Sequence, residues 1–207
     1  MTTAVKICGI TRVEDALAAT RAGAHALGLV LYKPSPRYVT PEKAAEIIRA
    51  FPPFVTAVGL FVDPGADEVR AVLAKAALQL LQFHGSETPE FCRQFGRPYM
   101  KTVRMKEGVD LLQYARNYHD ARALLLDSYV EGLHGGSGAV FDWNLVPRDL
   151  PLPVVLSGGL TVQNVVEAVR KVRPAAVDVS SGVESAKGIK DARKIAAFIK
   201  EVRSAGV

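Results

Sequence analysis

Cysteine is nearly absent from this 207-residue chain: only Cys8 and Cys92 occur, and no CxxC pair exists. Two such thiols do not build a disulfide framework, so a reducing compartment is expected and the protein is expected to be cytoplasmic. Histidine is scarce as well. His25, His84, His119 and His134 lack metal-ligand spacing, and no metal site is expected. Aromatic residues reach only 7%, and the basic residues form no block although Lys plus Arg number 26 against 21 Asp plus Glu. That pattern describes a solvated basic surface, not a nucleic-acid binder. Part of the positive charge would suit an anionic small-molecule substrate. Every wholly apolar run is short, so no membrane span is expected, and the opening MTTAVKICGIT carries no signal-peptide pattern.

Two nucleotide-binding signatures are missing too. The first strand is followed by Cys8-Gly9-Ile10-Thr11, not GxGxxG, and the segment Gly182–Gly188 lacks the spacing and hydroxyl of a Walker A loop. No linker or low-complexity stretch divides the chain, so residues 1–207 are read as one domain.

Apolar residues make up 49% of the chain and charged residues 23%, as in an ordinary globular core-former. Short β-rich runs recur along it: Val5–Ile10, Ala26–Tyr32, Thr56–Val62, Leu78–His84, Tyr99–Met105, Ala123–Ser128, Val154–Ser157 and Ala176–Ser180. LGLVL and ALLL are apolar throughout, as parallel strands covered on both faces must be. The intervening segments read as helices. Val69, Val72, Leu73 and Ala76 form one stripe; Ile189, Ala192, Ile195, Ala196 and Ile199 form another. Thr11-Arg-Val-Glu14 reads as a capping box. Thr40-Pro41, Asp63-Pro64 and Thr88-Pro89 each place an oxygen before a first-turn proline. Helices are further expected over Gly108–Asn117 and Val162–Val172, with Thr161 as a cap, and a single turn over Asp142–Leu145. Eight strands alternating with helices, at about 26 residues per unit, predict a closed (β/α)8 barrel of the α/β class.

Barrel sites lie at the carboxyl ends of the strands. Two of those ends are rich in glycine and serine: Ser157-Gly158-Gly159-Leu160 and Ser180-Ser181-Gly182-Val183. They are either ordinary turns or a phosphate cradle, because glycine lets backbone N–H groups approach an anion. Cys8 ends the first strand, as a packed core residue or as a thiol facing the mouth. Asp127 closes Ala123-Leu-Leu-Leu126, either bonded to its own loop or kept as a shielded acid. Strands one and six are three steps apart in an eight-strand ring, which sets these two side chains on nearly opposite sides of a substrate. Arg37, in a proline-stiffened loop after strand two, is a solvated arginine or a fork for a carboxylate. His84 orients a substrate or bonds a backbone group. Lys6, which shares the parity of Cys8, and Lys101 are read as structural, with Cys92 as packing. The glycine-rich Gly132–Gly138 after strand six reads as a mobile lid.

Together, Lys6-Ile-Cys-Gly-Ile-Thr11, Ser35-Pro-Arg37, Gln82-Phe-His-Gly85, Leu126-Asp127, Ser157-Gly-Gly-Leu160 and Asp178-Val-Ser-Ser-Gly-Val-Glu184 resemble the phosphoribosylanthranilate isomerases of tryptophan biosynthesis. The resemblance spans nearly the whole chain, with Gly-Gly-Ser-Gly in the lid where the family has Gly-Gly-Thr-Gly. It implies an Amadori rearrangement of N-(5-phosphoribosyl)anthranilate, with no cofactor and no metal. By the same resemblance Asp127 is the general acid and Cys8 the general base. Arg37 holds the anthranilate carboxylate, while backbone around Gly158, Gly159, Ser180, Ser181 and Gly182 holds the phosphate. Asp178 contacts a sugar hydroxyl. Competing readings are another phosphosugar isomerase, a lysine-dependent aldolase and a non-enzymatic phosphate-ligand barrel. Monomer and homodimer are both compatible with the sequence.

Overall fold

The computed structural model describes residues 3–128 and 140–206. The proposed Gly132–Gly138 lid lies outside the described residues. Eight parallel strands close into a barrel: β1 (Ala4–Cys8), β2 (Ala26–Val30), β3 (Thr56–Phe61), β4 (Leu80–Phe83), β5 (Tyr99–Met105), β6 (Ala123–Ser128), β7 (Val154–Leu156) and β8 (Ala176–Val179). The helices are α1 (Val13–Ala22), α2 (Pro41–Ile48), α3 (Ala66–Lys75), α4 (Pro89–Arg93), α5 (Leu111–Asn117), α6 (Val165–Val172) and α7 (Ala192–Ser204). Among the described residues between β6 and β7 there is one 3₁₀ turn, Trp143–Leu145, ahead of Pro147, which does not continue a helix. The sequence-based barrel is therefore the observed fold.

Side-chain alternation along each strand makes two cores. Outward residues such as Ile7, Leu27, Leu29, Leu81, Phe83, Leu124 and Leu126 are buried beneath the helices. Each such side chain contributes about 1.5–3 kcal/mol on burial. Inward, Val58, Met100, Ala123, Leu125 and Val155 fill the amino-terminal half of the barrel with hydrocarbon. Nearer the carboxyl ends the inward residues turn polar: Lys6, Gln82, Thr102, Asp127 and Asp178 are all buried there. The lower half is thus a plug and the upper half a lined site.

Thr40 and Thr88 cap their helices as expected, accepting from the backbone N–H groups of Lys43 and Phe91. Four other expectations shift. Helix α1 begins at Val13 without a side-chain cap, because the Thr11 hydroxyl is drawn away to the Gly188 carbonyl. Asp63 does not cap α3, whose cap position is Gly65; its carboxylate instead accepts from Ser86 N at 2.6 Å, tying the loops after β3 and β4 together. Thr161 does not cap α6 with its hydroxyl, since the helix starts only at Val165 and Thr161 N donates to the Asn164 side chain. Ile189 is not helical. It lies in a small antiparallel hairpin, β9 (Glu184–Ala186) and β10 (Ile189–Lys190), which leaves it exposed and delays α7 to Ala192. That hairpin carries two residues of the site.

Candidate active site

At the carboxyl end of the barrel a cavity of about 260 Å³ opens. Its lining includes Cys8, Arg37, His84, Asp127, Asp178, Ser157, Gly158, Gly159, Ser180 and Ser181. Nine of the ten residues singled out from sequence therefore meet in one place. Gly182 is not a lining residue. It packs behind the cavity, where an added Cβ would run into the Leu160 carbonyl, so it locks the loop after β8 onto the loop after β7.

Cys8 faces this cavity and is 5% exposed, packed on one side against Val30, Leu60 and Val62. Position on β1 fixes this, since Lys6 and Cys8 share the inward parity. Burial pushes the Cys8 thiol above its ordinary value. Lys6 and Lys190 pull it down and Asp178 pushes it up, with a net rise. Desolvation thus outweighs the two lysines.

Asp127, across the mouth on β6, is buried; its Oδ1 accepts from Ser128 N at 2.9 Å. His84 Nε2 lies 3.3 Å from Asp127 Oδ2, close enough for a Coulombic contact but not aligned as a hydrogen bond. The His84 ring thus faces a carboxylate and not a backbone group, with Gln82 Nε2 3.3 Å from its Nδ1. Asp178 Oδ1 accepts from Lys6 Nζ at 2.8 Å. The register of β1 on β8 makes these two residues direct neighbours.

Arg37 does form a carboxylate fork, but with a residue of its own chain. Nε and Nη2 each donate at 2.8 Å to the two oxygens of Glu184. Lys190 Nζ donates to the same Glu184 at 2.8 Å, and to the carbonyl and hydroxyl of Ser180 at 3.1 and 3.3 Å. Desolvation would raise the Glu184 carboxyl, but the hydrogen bonds from Arg37 and Lys190 hold it below the usual range. The bonds to Glu184 in turn raise Arg37. Glu184 stood in a recognised motif without a role, and Lys190 was missed altogether. Its only sequence signal is its place next to Ile189, at the start of an expected helical stripe.

The two glycine-rich loops share the rim. Gly158 and Gly159 adopt φ of +84° and +63°, a left-handed pair that only glycine enters without strain. Successive backbone N–H groups in such a turn, next to Ser180 and Ser181, suit an anion. Lys101 is not part of the site: it points outward and is fixed to Glu87 Oε2 at 2.7 Å and the Gly85 carbonyl at 2.6 Å. Cys92 is fully buried in the outer core. Among the described residues no group of His, Cys, Asp and Glu could hold a metal, and no helix is long and apolar enough to cross a membrane.

Known proteins share this architecture. A family model described as N-(5'-phosphoribosyl)anthranilate (PRA) isomerase matches residues 5–201. The N-(5'-phosphoribosyl)anthranilate isomerase of Nitrosospira multiformis is 59% identical over 202 residues, covering 98% of this chain and 97% of its own. The solved enzyme from Thermotoga maritima superposes with a TM-score of 0.90 at 40% identity, covering 98% of this chain and 100% of that one. A further structure of that protein is described as monomers generated from a dimeric enzyme (TM-score 0.86, 38% identity, 98% and 100% covered). A phosphoribosylanthranilate isomerase solved with reduced 1-(o-carboxyphenylamino)-1-deoxyribulose 5-phosphate superposes with a TM-score of 0.87 at 40% identity, covering 98% and 100%. On this ground, and with the barrel and its mouth as described, the chain belongs to the N-(5'-phosphoribosyl)anthranilate isomerase family.

Proposed function

We propose that the isomerisation of N-(5-phosphoribosyl)anthranilate proceeds in this cavity by general acid–base catalysis, with Asp127 as acid and Cys8 as base. The single supporting observation is that both groups line one cavity from β6 and β1, beside the two glycine-rich loops. Asp127 protonates the furanose ring oxygen, the ring C–O bond breaks, and the anilino nitrogen's lone pair forms the iminium. Cys8 then takes the C2' proton. The C–H electron pair becomes the enolamine double bond, and tautomerisation gives 1-(2-carboxyphenylamino)-1-deoxyribulose 5-phosphate. The two groups need opposite protonation states at one pH, which distinct environments can supply. Each proton transfer of this kind contributes roughly 10²–10⁴-fold.

The phosphate is held by Gly158, Gly159, Ser180 and Ser181, with Gly182 setting the loop contact. Arg37 receives the anthranilate carboxylate by sharing or exchanging its fork with Glu184. Asp178 and His84 border the sugar. The whole chain acts as one domain in the cytoplasm and needs no cofactor. A homodimer is the assembly we infer, on the likeness to the dimeric enzyme of Thermotoga maritima; Phe54, fully exposed in the loop before β3 at the end of the barrel opposite the site, is the apolar side chain we place in its contact.

The test is the fluorescence decay of phosphoribosylanthranilate with purified protein in chelator-treated buffer. Turnover is expected for the natural chain. Cys8→Ser and Asp127→Asn are expected to lose kcat by at least about 10²-fold with KM little changed. Normal turnover in either variant removes that residue from the mechanism. Trapping of substrate on the protein by borohydride would instead favour a lysine aldolase.

A further inference from the structure

Lys6 is a buried cation for which the acid–base scheme has no use. Its side chain is only 4% exposed and is not among the residues lining the cavity. It stands one inward step below Cys8 on β1 and directly opposite Asp178 on β8. Opposite Cys8 on β2 is Gly28. A Cβ there would lie 2.8 Å from Cys8 Sγ and 3.1 Å from Lys6 Nζ. The sulfur and the ammonium therefore flank the small space that this glycine leaves open, while Lys6 Nζ donates to Asp178 Oδ1 at 2.8 Å.

We propose that Lys6 is a positioning residue for the isomerase reaction: its ammonium, anchored on Asp178, aims and electrostatically supports Cys8 as the group that accepts the C2' proton. The inference rests on the reading of Cys8 as base. Lys6 keeps its own proton throughout. When Cys8 releases its proton to solvent, the new thiolate stands beside a fixed positive charge. When it later takes the C2' proton, the Lys6–Asp178 pair remains as it was.

Other charges around Cys8 work in both directions. Arg37 and Lys190 approach from the rim and favour the thiolate, Asp178 opposes it from β8, and Asp127, His84 and Tyr32 line the same cavity. Lys6 is the strongest of the thiolate-favouring groups. Its own ammonium is secured in the same way: desolvation would lower it, but Asp178 and Cys8 raise it above an ordinary lysine.

The experiment is iodoacetamide alkylation of Cys8 in the ligand-free protein across pH, read by peptide mass spectrometry. Cys92 is separated by its peptide and by its thiol, pushed up to about 12 by burial. In Lys6→Met the Cys8 midpoint is expected to move about one pH unit or more to the alkaline side. The kcat at neutral pH should drop about tenfold or more, recover partly as pH rises, and leave KM within about threefold. An unchanged midpoint in Lys6→Met, or a loss of kcat equal at all pH values, would overturn the proposal. Should that variant not fold, Lys6→Gln decides in its place: an alkaline shift of the Cys8 midpoint supports Lys6, and no shift or an acid one rejects it. Failure of the underlying reading looks different, because then Cys8→Ser would turn over normally.

Discussion

Gly158→Ala isolates how the rim of this barrel controls its acid. Gly158 has φ of +84°, and a Cβ there would lie 2.5 Å from Ser128 N, 2.7 Å from Ser128 Oγ and 2.9 Å from Asp127 Oδ1. The nearest atom is backbone, which cannot rotate away. The left-handed conformation costs an alanine about 1–2 kcal/mol, and the overpacking adds about 1–3 kcal/mol. A central value of about 3 kcal/mol lowers Tm by roughly 6–12 °C for a chain of this size. Relief requires Asp127 and Ser128 to move, and a displacement near 1 Å costs about 10²-fold in rate. Gly96 supplies the control: its φ is +60° with no atom within 4 Å of the added Cβ. Gly96→Ala should show only the backbone cost of about 1–2 kcal/mol and leave kcat intact. The assays are thermal unfolding and steady-state fluorescence of both variants. If Gly158→Ala matches Gly96→Ala in stability and turns over normally, the argument that this loop presses on Asp127 is wrong.

Other outcomes follow from the charges around the rim. Glu184→Gln should loosen the Arg37 fork and the Lys190 brace on Ser180, raising KM several-fold more than it lowers kcat; steady-state kinetics at two phosphate concentrations check this. The folded-state Glu184 carboxyl is lowered, so its stabilising share is present above the ordinary carboxylate value of about 4.3 and lost as pH falls through the lower folded one. Urea midpoints measured from neutral to acid pH should therefore fall less steeply in Glu184→Gln than in the natural chain; parallel curves would contradict the assignment. Arg37→Lys keeps the charge but not the two-pronged geometry, and KM is expected to rise about tenfold or more, with a normal KM arguing against carboxylate binding there. Phe54→Asp should leave turnover unchanged and convert a dimer to monomers on size-exclusion chromatography; an unaltered elution volume would place the contact elsewhere.

The sequence by itself determined the barrel and the membership of its mouth. Runs such as Ala123-Leu-Leu-Leu126 are apolar on both faces, which only a strand covered within and without tolerates, and eight of them leave few topologies open. Strand parity then carried Cys8, Asp127, Asp178 and Ser180 inward, because a strand's alternation is rigid. Local competition was harder to see. Thr11 and Asp63 carry the side-chain chemistry of caps, yet both are engaged by partners far along the chain, the Gly188 carbonyl and Ser86 N. Ile189 fits a helical stripe, but the hairpin from Glu184 to Lys190 claims it. Only the tertiary structure decided the pairings among charges: Lys6 with Asp178 across the β1–β8 closure, and Arg37 and Lys190 on Glu184. Such pairings depend on strand register and loop approach over separations of up to 172 residues, and a side chain's charge is set by what burial brings beside it, which no local pattern encodes.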